Sequence, residues 1–541
     1  LESKEIDCRS LPFNELVTDY LKKPELFTKH FARLPHQLLE NPREIIDNKK
    51  LNLDTDSAGK LLQEFNENIG TEELCSVGLN KIQSSESFYT VTTGQQLGLF
   101  GGPVYTVFKT ITTIALSKHI EEKTGIPVIP IFWLADEDHD FDEIATTKLP
   151  ADEQGTNNLS LSENSSGRAV GSIKVGEEID SLISEMDDLL PDTDFKSDVM
   201  DLLQRCYTSE STHNEAFGRL IAELFGKHGI VLAGSNFPSL KKATSFVFKK
   251  AISNVQDSGE ALGKGTRRLS EHYHQQAQIE PSMLFIFNEG ERVRLHVDEK
   301  SGQWTSSDNK LSYSTDELLQ LADESPELFS PNVFLRPVIQ EYWLPNLAYA
   351  GGPGEISYWA QMKELFEFYD VTEPVVWPRV TATLLGHSIQ RYWDELPFTF
   401  CDYLARIEDL ESDYLEKSDA FDVHGFFGEW IKEAQKLSKE KEKTIEEIDP
   451  TLVQSAGKAT GVYVNELNKL RGKVVRALKQ QEETQLNRIR KIHNEIYPNH
   501  NLQEREISFV WFMNKYGMDI WDTVLEEVDL KSFESHLLIF L

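Results

Sequence analysis

FYTVTTGQQLGLFGGPVYTVFKTITTIALSKHIEEKTGIPVIPIFWLADEDHDFD, residues 88–142, decides the fold. Its β-branched and aromatic opening, Phe88 to Thr93, reads as a buried strand that stops at Gly94. A glycine-rich loop follows, and Pro103 sits where a helix should begin, a position at which its missing N–H costs nothing. That helix carries Val104, Phe108, Ile111, Ile114 and Ala115 on one face and ends at Gly125 and Pro127. A second apolar strand, Val128 to Ala135, runs into the acidic loop Asp136, Glu137, Asp138, His139, Asp140. The stretch is one β-loop-α-β unit. In a parallel sheet its two loops share the edge on which open α/β folds bind ligands. Gly98, Gly101 and Gly102 would let an anion approach main-chain N–H groups at a helix start. The acidic loop suits an amine, a metal or a proton transfer.

With 541 residues the chain needs two or more domains. A net charge of −34 argues against a general nucleic-acid binder, which needs clustered Lys and Arg, but permits a local basic pocket. No apolar window reaches bilayer length, and LESKEIDCRSLPF lacks a signal-peptide layout, so the expectation is a cytoplasmic protein without a membrane partner. Cys8, Cys75, Cys206 and Cys401 are scattered without CxxC spacing, which disfavours a disulfide framework or zinc site.

Residues 1 to about 86 read as helical, punctuated by Pro24, Pro35 and Pro42. Polar, acidic sequence from about 150 to 215 reads as an excursion, one loop and a helical hairpin rather than strands. The core resumes with a helix at Phe217 to His228, the strand GIVLAGS, a helix near 240–257, and SMLFIFNEGERVRLHV as two strands around an Asn-Glu-Gly turn. Between them His272 and His274 lie two apart, on different faces of a helix.

A second GGP, Gly351-Gly352-Pro353, again precedes a helix, so two such junctions are expected to clamp one ligand. Arg336, Gln340 and Glu341 precede it, and Glu355 and Lys363 follow. Arg379, in the apolar strand PVVWPRVTATLL, implies a ligand or an ion pair, with the ligand favoured. From 387 onward long helices take over. Leu467, Leu470, Val474, Leu478, Leu486, Ile489 and Ile492 form an amphipathic seam interrupted by Glu482 and Gln485, and an antiparallel hairpin is expected around Asp449-Pro450. A seam of this kind leaves a homodimer open. The apolar run after NLQER is expected to return to the core, where Gln503, Glu504 and Arg505 would line the cleft.

TTGQQLGLFGGPVYT followed by IFWLADEDHDFDE, LRPVIQEYWLPNLAYAGGPGEISYWAQMKELF from Leu335 to Phe366, and YPNHNLQER from Tyr497 to Arg505 resemble the bacillithiol biosynthesis cysteine-adding enzymes, the BshC family, in order and over nearly the whole chain. The resemblance implies a ligase that joins the cysteine carboxyl to the amine of glucosaminyl malate. It also adds Tyr273 and His274, which match the family's pattern, as substrate or structural residues. The expected architecture is α/β: a Rossmann-like parallel-sheet core over 1–386, an antiparallel coiled coil over 387–498, and a returning segment over 499–541.

Amide formation needs an activated carboxyl and an unprotonated amine. Gln95, Gln96, Gly101, Gly102 and Tyr105 are therefore assigned to the anionic part of a substrate, Asp138 and His139 to acid/base work or amine orientation, Asp136 and Asp140 to ammonium or metal, and Arg336 and Arg379 to the malate carboxylates. Activation as an adenylate would use ATP with release of a nucleotide, but GxxxxGK[ST], HIGH and KMSKS are all missing, so ATP or ADP stays an open cofactor. Two other classes stay open: a nucleotide-dependent ligase or nucleotidyl transferase for another amine and acid, and a non-catalytic coiled-coil assembly protein.

Overall fold

The computed structural model describes residues 2–151, 155–162, 167–275, 279–280, 282–298, 300–417 and 422–541. It divides into a core unit, residues 1–151, 156–384 and 502–541, and a helical unit, residues 152–155 and 385–501.

At the centre of the core unit lies a five-stranded sheet in the order Val375–Pro378, Asn346–Gly351, Tyr89–Gln95, Val128–Leu134, Val231–Ala233. Every neighbouring pair is parallel. The strand Val128–Leu134 is buried at all its positions, as expected of a strand covered on both faces. The crossover helix Tyr105–Thr124 is buried nearly all round, including four threonines. Thr110, Thr112 and Thr113 satisfy their hydroxyls on the carbonyls four residues back, at 2.9, 2.6 and 2.9 Å. Gly125, in the left-handed region with φ +69°, ends the helix. This is the Rossmann-like α/β core the 88–142 stretch predicts.

Two further sheets depart from the sequence reading. Glu2–Asp7, in the segment read as wholly helical, pairs antiparallel with Ser535–Phe540, which neighbours Thr381–Leu385. The polar excursion contains Thr156–Ser160, antiparallel to Thr146–Pro150, before its two helices, Glu178–Leu189 and Lys196–Cys206. Sparse apolar content hid both strands because partners remote in sequence or across a turn satisfy their main-chain groups.

Leu284–Asn288 and Glu291–Asp298 form the expected hairpin, with Glu289 and Gly290 at φ +51° and +89° in the turn. They belong to a second five-stranded sheet, completed by Gln303–Ser306, Ser312–Tyr313 and Phe329–Pro331.

In the helical unit, Val423–Ile448 and Val453–Gln481 are joined by a 3-10 turn at Pro450–Leu452, and the chain breaks again before Glu483–Ile496. Phe427 and Leu467 are buried between the long helices, with Trp430, Val474 and Leu478 packed beside them, but Leu470 is exposed, unlike the rest of the seam. Glu411 joins the acidic upstream helix to Lys479 and Arg490. No helix among the described residues is long and apolar enough to cross a membrane.

Candidate active site

Because the central strands are parallel, their carboxyl ends share one rim. A cavity of about 830 Å³ opens there, and Gln95, His139 and Gly352 all line it. The antiparallel sheet supplies the facing wall through Phe285, Arg292 and Arg294.

The acidic loop divides its charges. Asp136 turns inward: its carboxylate accepts the main-chain N–H groups of Ser235 and Asn236, both at 3.1 Å, and does not line the cavity. Burial, followed by the neighbouring Glu137 charge, pushes it up to about 7. Gly171 and Gly234 make room for it, since a Cβ at either would lie 2.6 or 2.3 Å from Asp136 atoms. Glu137 lines the cavity with one oxygen on Lys241; its other oxygen has no hydrogen-bond partner among the described residues. Lys241 also donates to the Phe329 carbonyl at 2.6 Å. Burial opposes ionisation of Asp138, but hydrogen bonds from Gln96 and the His139 main-chain N–H, with the Arg292 charge, hold its carboxyl below the ordinary range.

His139 lines the cavity, partly exposed. Arg292 Nη1 lies 3.0 Å from His139 Nδ1. A guanidinium can only donate, so Nδ1 accepts and the ring proton sits on Nε2. In this arrangement His139 offers an N–H and has no free lone pair. Asp140 is exposed and outside the cavity wall.

Opposite lies a cationic side. Lys109, buried on the crossover helix, bonds Glu355 Oε2 at 2.6 Å, the Gly94 carbonyl at 2.7 Å and Gln95 Oε1 at 2.9 Å. Glu355 also accepts from Tyr349 Oη at 2.5 Å and from Gly352 N at 2.8 Å. Gln95 donates to Tyr105 Oη at 2.9 Å. Arg336 lies over the Trp133 and Tyr349 rings, bonds Gln340 at 3.1 Å, and has no carboxylate within ion-pair distance among the described residues. Arg505, exposed at the rim, likewise forms no ion pair among the described residues.

Arg379 resolves as an ion pair, against the expectation of a free ligand-binding arginine. Its Nη1 and Nη2 grip Glu504 at 3.0 and 2.6 Å, and Glu504 further accepts from Thr381 Oγ1 at 2.8 Å and Ala382 N at 3.1 Å. The Arg379 side chain still borders the cavity. Thr381 spends its proton on Glu504, so His536 Nδ1, 2.8 Å away, must donate to it.

The first GGP does not form the expected anion loop. Gly101 and Gly102 lie outside the cavity wall; a Cβ on Gly101 would sit 2.3 Å from the Phe509 ring. Val104 N donates to the Ile507 carbonyl at 2.8 Å, so the returning C-terminal chain covers this helix start. Only the second GGP reaches the cavity, through Gly352 and Pro353, while Gly351 ends the strand and Gln340 is buried behind Arg336. Tyr273 and His274 are elsewhere; Tyr273 stacks on Phe27 and donates to Asp19 at 3.1 Å.

Sequence reading missed Lys109, Arg292 and Arg294 as site residues, and gave Glu137, though named in the acidic loop, no role of its own. The signals were a lysine inside an otherwise apolar and threonine-rich helix and two arginines at i, i+2 on one strand face, which only the facing sheet converts into a cavity wall.

The fold is that of a Rossmann-like protein with a cavity at the carboxyl edge of its parallel sheet. The family profile described as "Bacillithiol biosynthesis BshC, N-terminal Rossmann-like domain" matches residues 1–380, and "Bacillithiol biosynthesis BshC, C-terminal coiled-coil domain" matches 382–541. The chain belongs to this family. It is 32% identical over 464 residues to a Salinibacter ruber protein named "Putative cysteine ligase BshC", covering 85% of this chain and 84% of the relative. Same-named proteins of Symbiobacterium thermophilum and Bacillus cereus are 32% and 30% identical, covering 89% and 83% of this chain and 89% and 84% of the relatives.

Proposed function

We propose that this chain is a cysteine ligase of bacillithiol biosynthesis that joins the cysteine carboxyl to the amine of glucosaminyl malate. The relatives' name supports the reaction class. The observation that carries the reading is one cavity with Arg336 and Arg505, which form no ion pair among the described residues, on one side and an acidic loop on the other, a match for substrates that bear both carboxylates and amines. Arg336 and Arg505 take the malate carboxylates, replacing the Arg379 of the sequence reading, whose terminal nitrogens are occupied. Gln95, Gln96, Tyr105, Gly352 and Glu355 shape the floor. His139 presents its Nε2–H to oxygen that gains charge as the acyl carbon is attacked, and Asp138 fixes Gln96 and the loop backbone.

A cytoplasmic location and a homodimer belong to the same reading. Leu437, Ile448 and Val462, exposed on the helical hairpin, favour the homodimer. Incubating the protein with cysteine, glucosaminyl malate and ATP, and omitting each in turn, tests the function. Bacillithiol in the product mass spectrum is expected. Absence of any condensed product from folded protein, with and without nucleotide, overturns the proposal.

A further inference from the structure

Among the acidic residues of the 136–140 loop that line the cavity, Asp138 is saturated: it accepts from Gln96, from the main-chain N–H groups of His139 and Asp140, and lies 3.7 Å from Arg292. His139 has its lone pair on Arg292. Glu137 differs from both. Its side chain is more than nine-tenths buried, it borders the cavity, and one carboxylate oxygen is held by Lys241 while the other has no partner among the described residues. A buried oxygen left without a donor costs free energy that a ligand N–H would recover. Lys241 holds the other oxygen and so fixes the orientation of the carboxylate.

We infer that Glu137, oriented by Lys241, is the binding residue for the α-ammonium group of the amino-acid substrate. This rests on the ligase reading above and assigns one end of the cysteine to one carboxylate. The acceptor's amine, which must be neutral to react, is left to the solvent-facing part of the loop. Lys241 is a positioning residue: it does not line the cavity and acts through Glu137.

The test measures equilibrium binding of L-cysteine and of 3-mercaptopropionate, which keeps the thiol and carboxylate but lacks the amine. Wild-type protein should prefer cysteine by roughly 30-fold or more, the worth of a charge-assisted hydrogen bond. Glu137→Gln strands a buried ammonium, so the neutral pair E137Q/K241M is measured beside it, together with E137D, which keeps the carboxylate. E137Q/K241M should bind both probes alike, with its affinity for glucosaminyl malate changed by less than about threefold, and E137D should retain part of the preference. Undiminished preference in the folded double variant, no preference in wild-type protein, or a loss that falls on glucosaminyl malate instead overturns the assignment. Wild-type protein that shows the preference yet forms no amide would sink the ligase reading and leave the ammonium site standing. Bacillithiol formation by a double variant that still discriminates would do the reverse.

Discussion

Glu504→Gln tests how the returning C-terminal segment is locked to the core. Glu504 is fully buried and accepts four hydrogen bonds, two from Arg379 and one each from Thr381 and Ala382. Burial opposes its ionisation, but the Arg379 charge prevails and holds the carboxyl below its ordinary value. An amide cannot accept the guanidinium fork and leaves Arg379 charged in the interior, so breaking the pair should cost about 3–5 kcal/mol. Replacing both partners by apolar residues, R379M/E504L, should restore much of that, because no charge is then stranded. Denaturant unfolding followed by tryptophan fluorescence reports mainly on the core unit, since Trp393 and Trp430 alone of the nine tryptophans lie in the helical unit. The sign with pH is fixed: a depressed folded-state pKa gives stability above the ordinary carboxylate range that is lost as pH falls through the folded value, so wild type and E504Q should converge in acid. A loss below about 1 kcal/mol in E504Q at neutral pH, or a double variant no more stable than E504Q, would refute the clamp.

Three other outcomes are expected. Burial pushes the Glu373 carboxyl up to about 8, so its contribution is full below the unfolded value and is lost as pH rises toward 8; E373Q should therefore melt higher than wild type, by a margin that grows from pH 5 to pH 9 and is absent in acid. Gly101→Ala adds a Cβ 2.3 Å from Phe509 at φ +84°, and should lower stability by roughly 1–3 kcal/mol or more, seen as a lower melting temperature and partly relieved by F509A. Arg336→Met and Arg505→Met should each raise KM for glucosaminyl malate by roughly tenfold or more with cysteine KM little changed, a split that steady-state kinetics reads directly.

The parallel core was legible because a strand covered on both faces must be apolar along its length, as VIPIFWL is, and because the loops that follow such strands are forced onto one rim. The helical hairpin was legible from its heptad-like spacing and the Asp449-Pro450 break. Only tertiary structure decided that ESKEID is a strand, since its partner Ser535–Phe540 lies at the other end of the chain. Only it decided which of two identical GGP sequences meets the cavity: Phe509 and Ile507 seal the first, and nothing within the tripeptide encodes that. Glycine spacing, charge and periodicity are local properties and the chain carries them openly. The Glu137 oxygen left without a donor among the described residues, the occupied lone pair of His139 and the spent guanidinium of Arg379 depend on which donors distant segments bring within about 3 Å, and hydrogen-bond saturation exists only once the chain has folded.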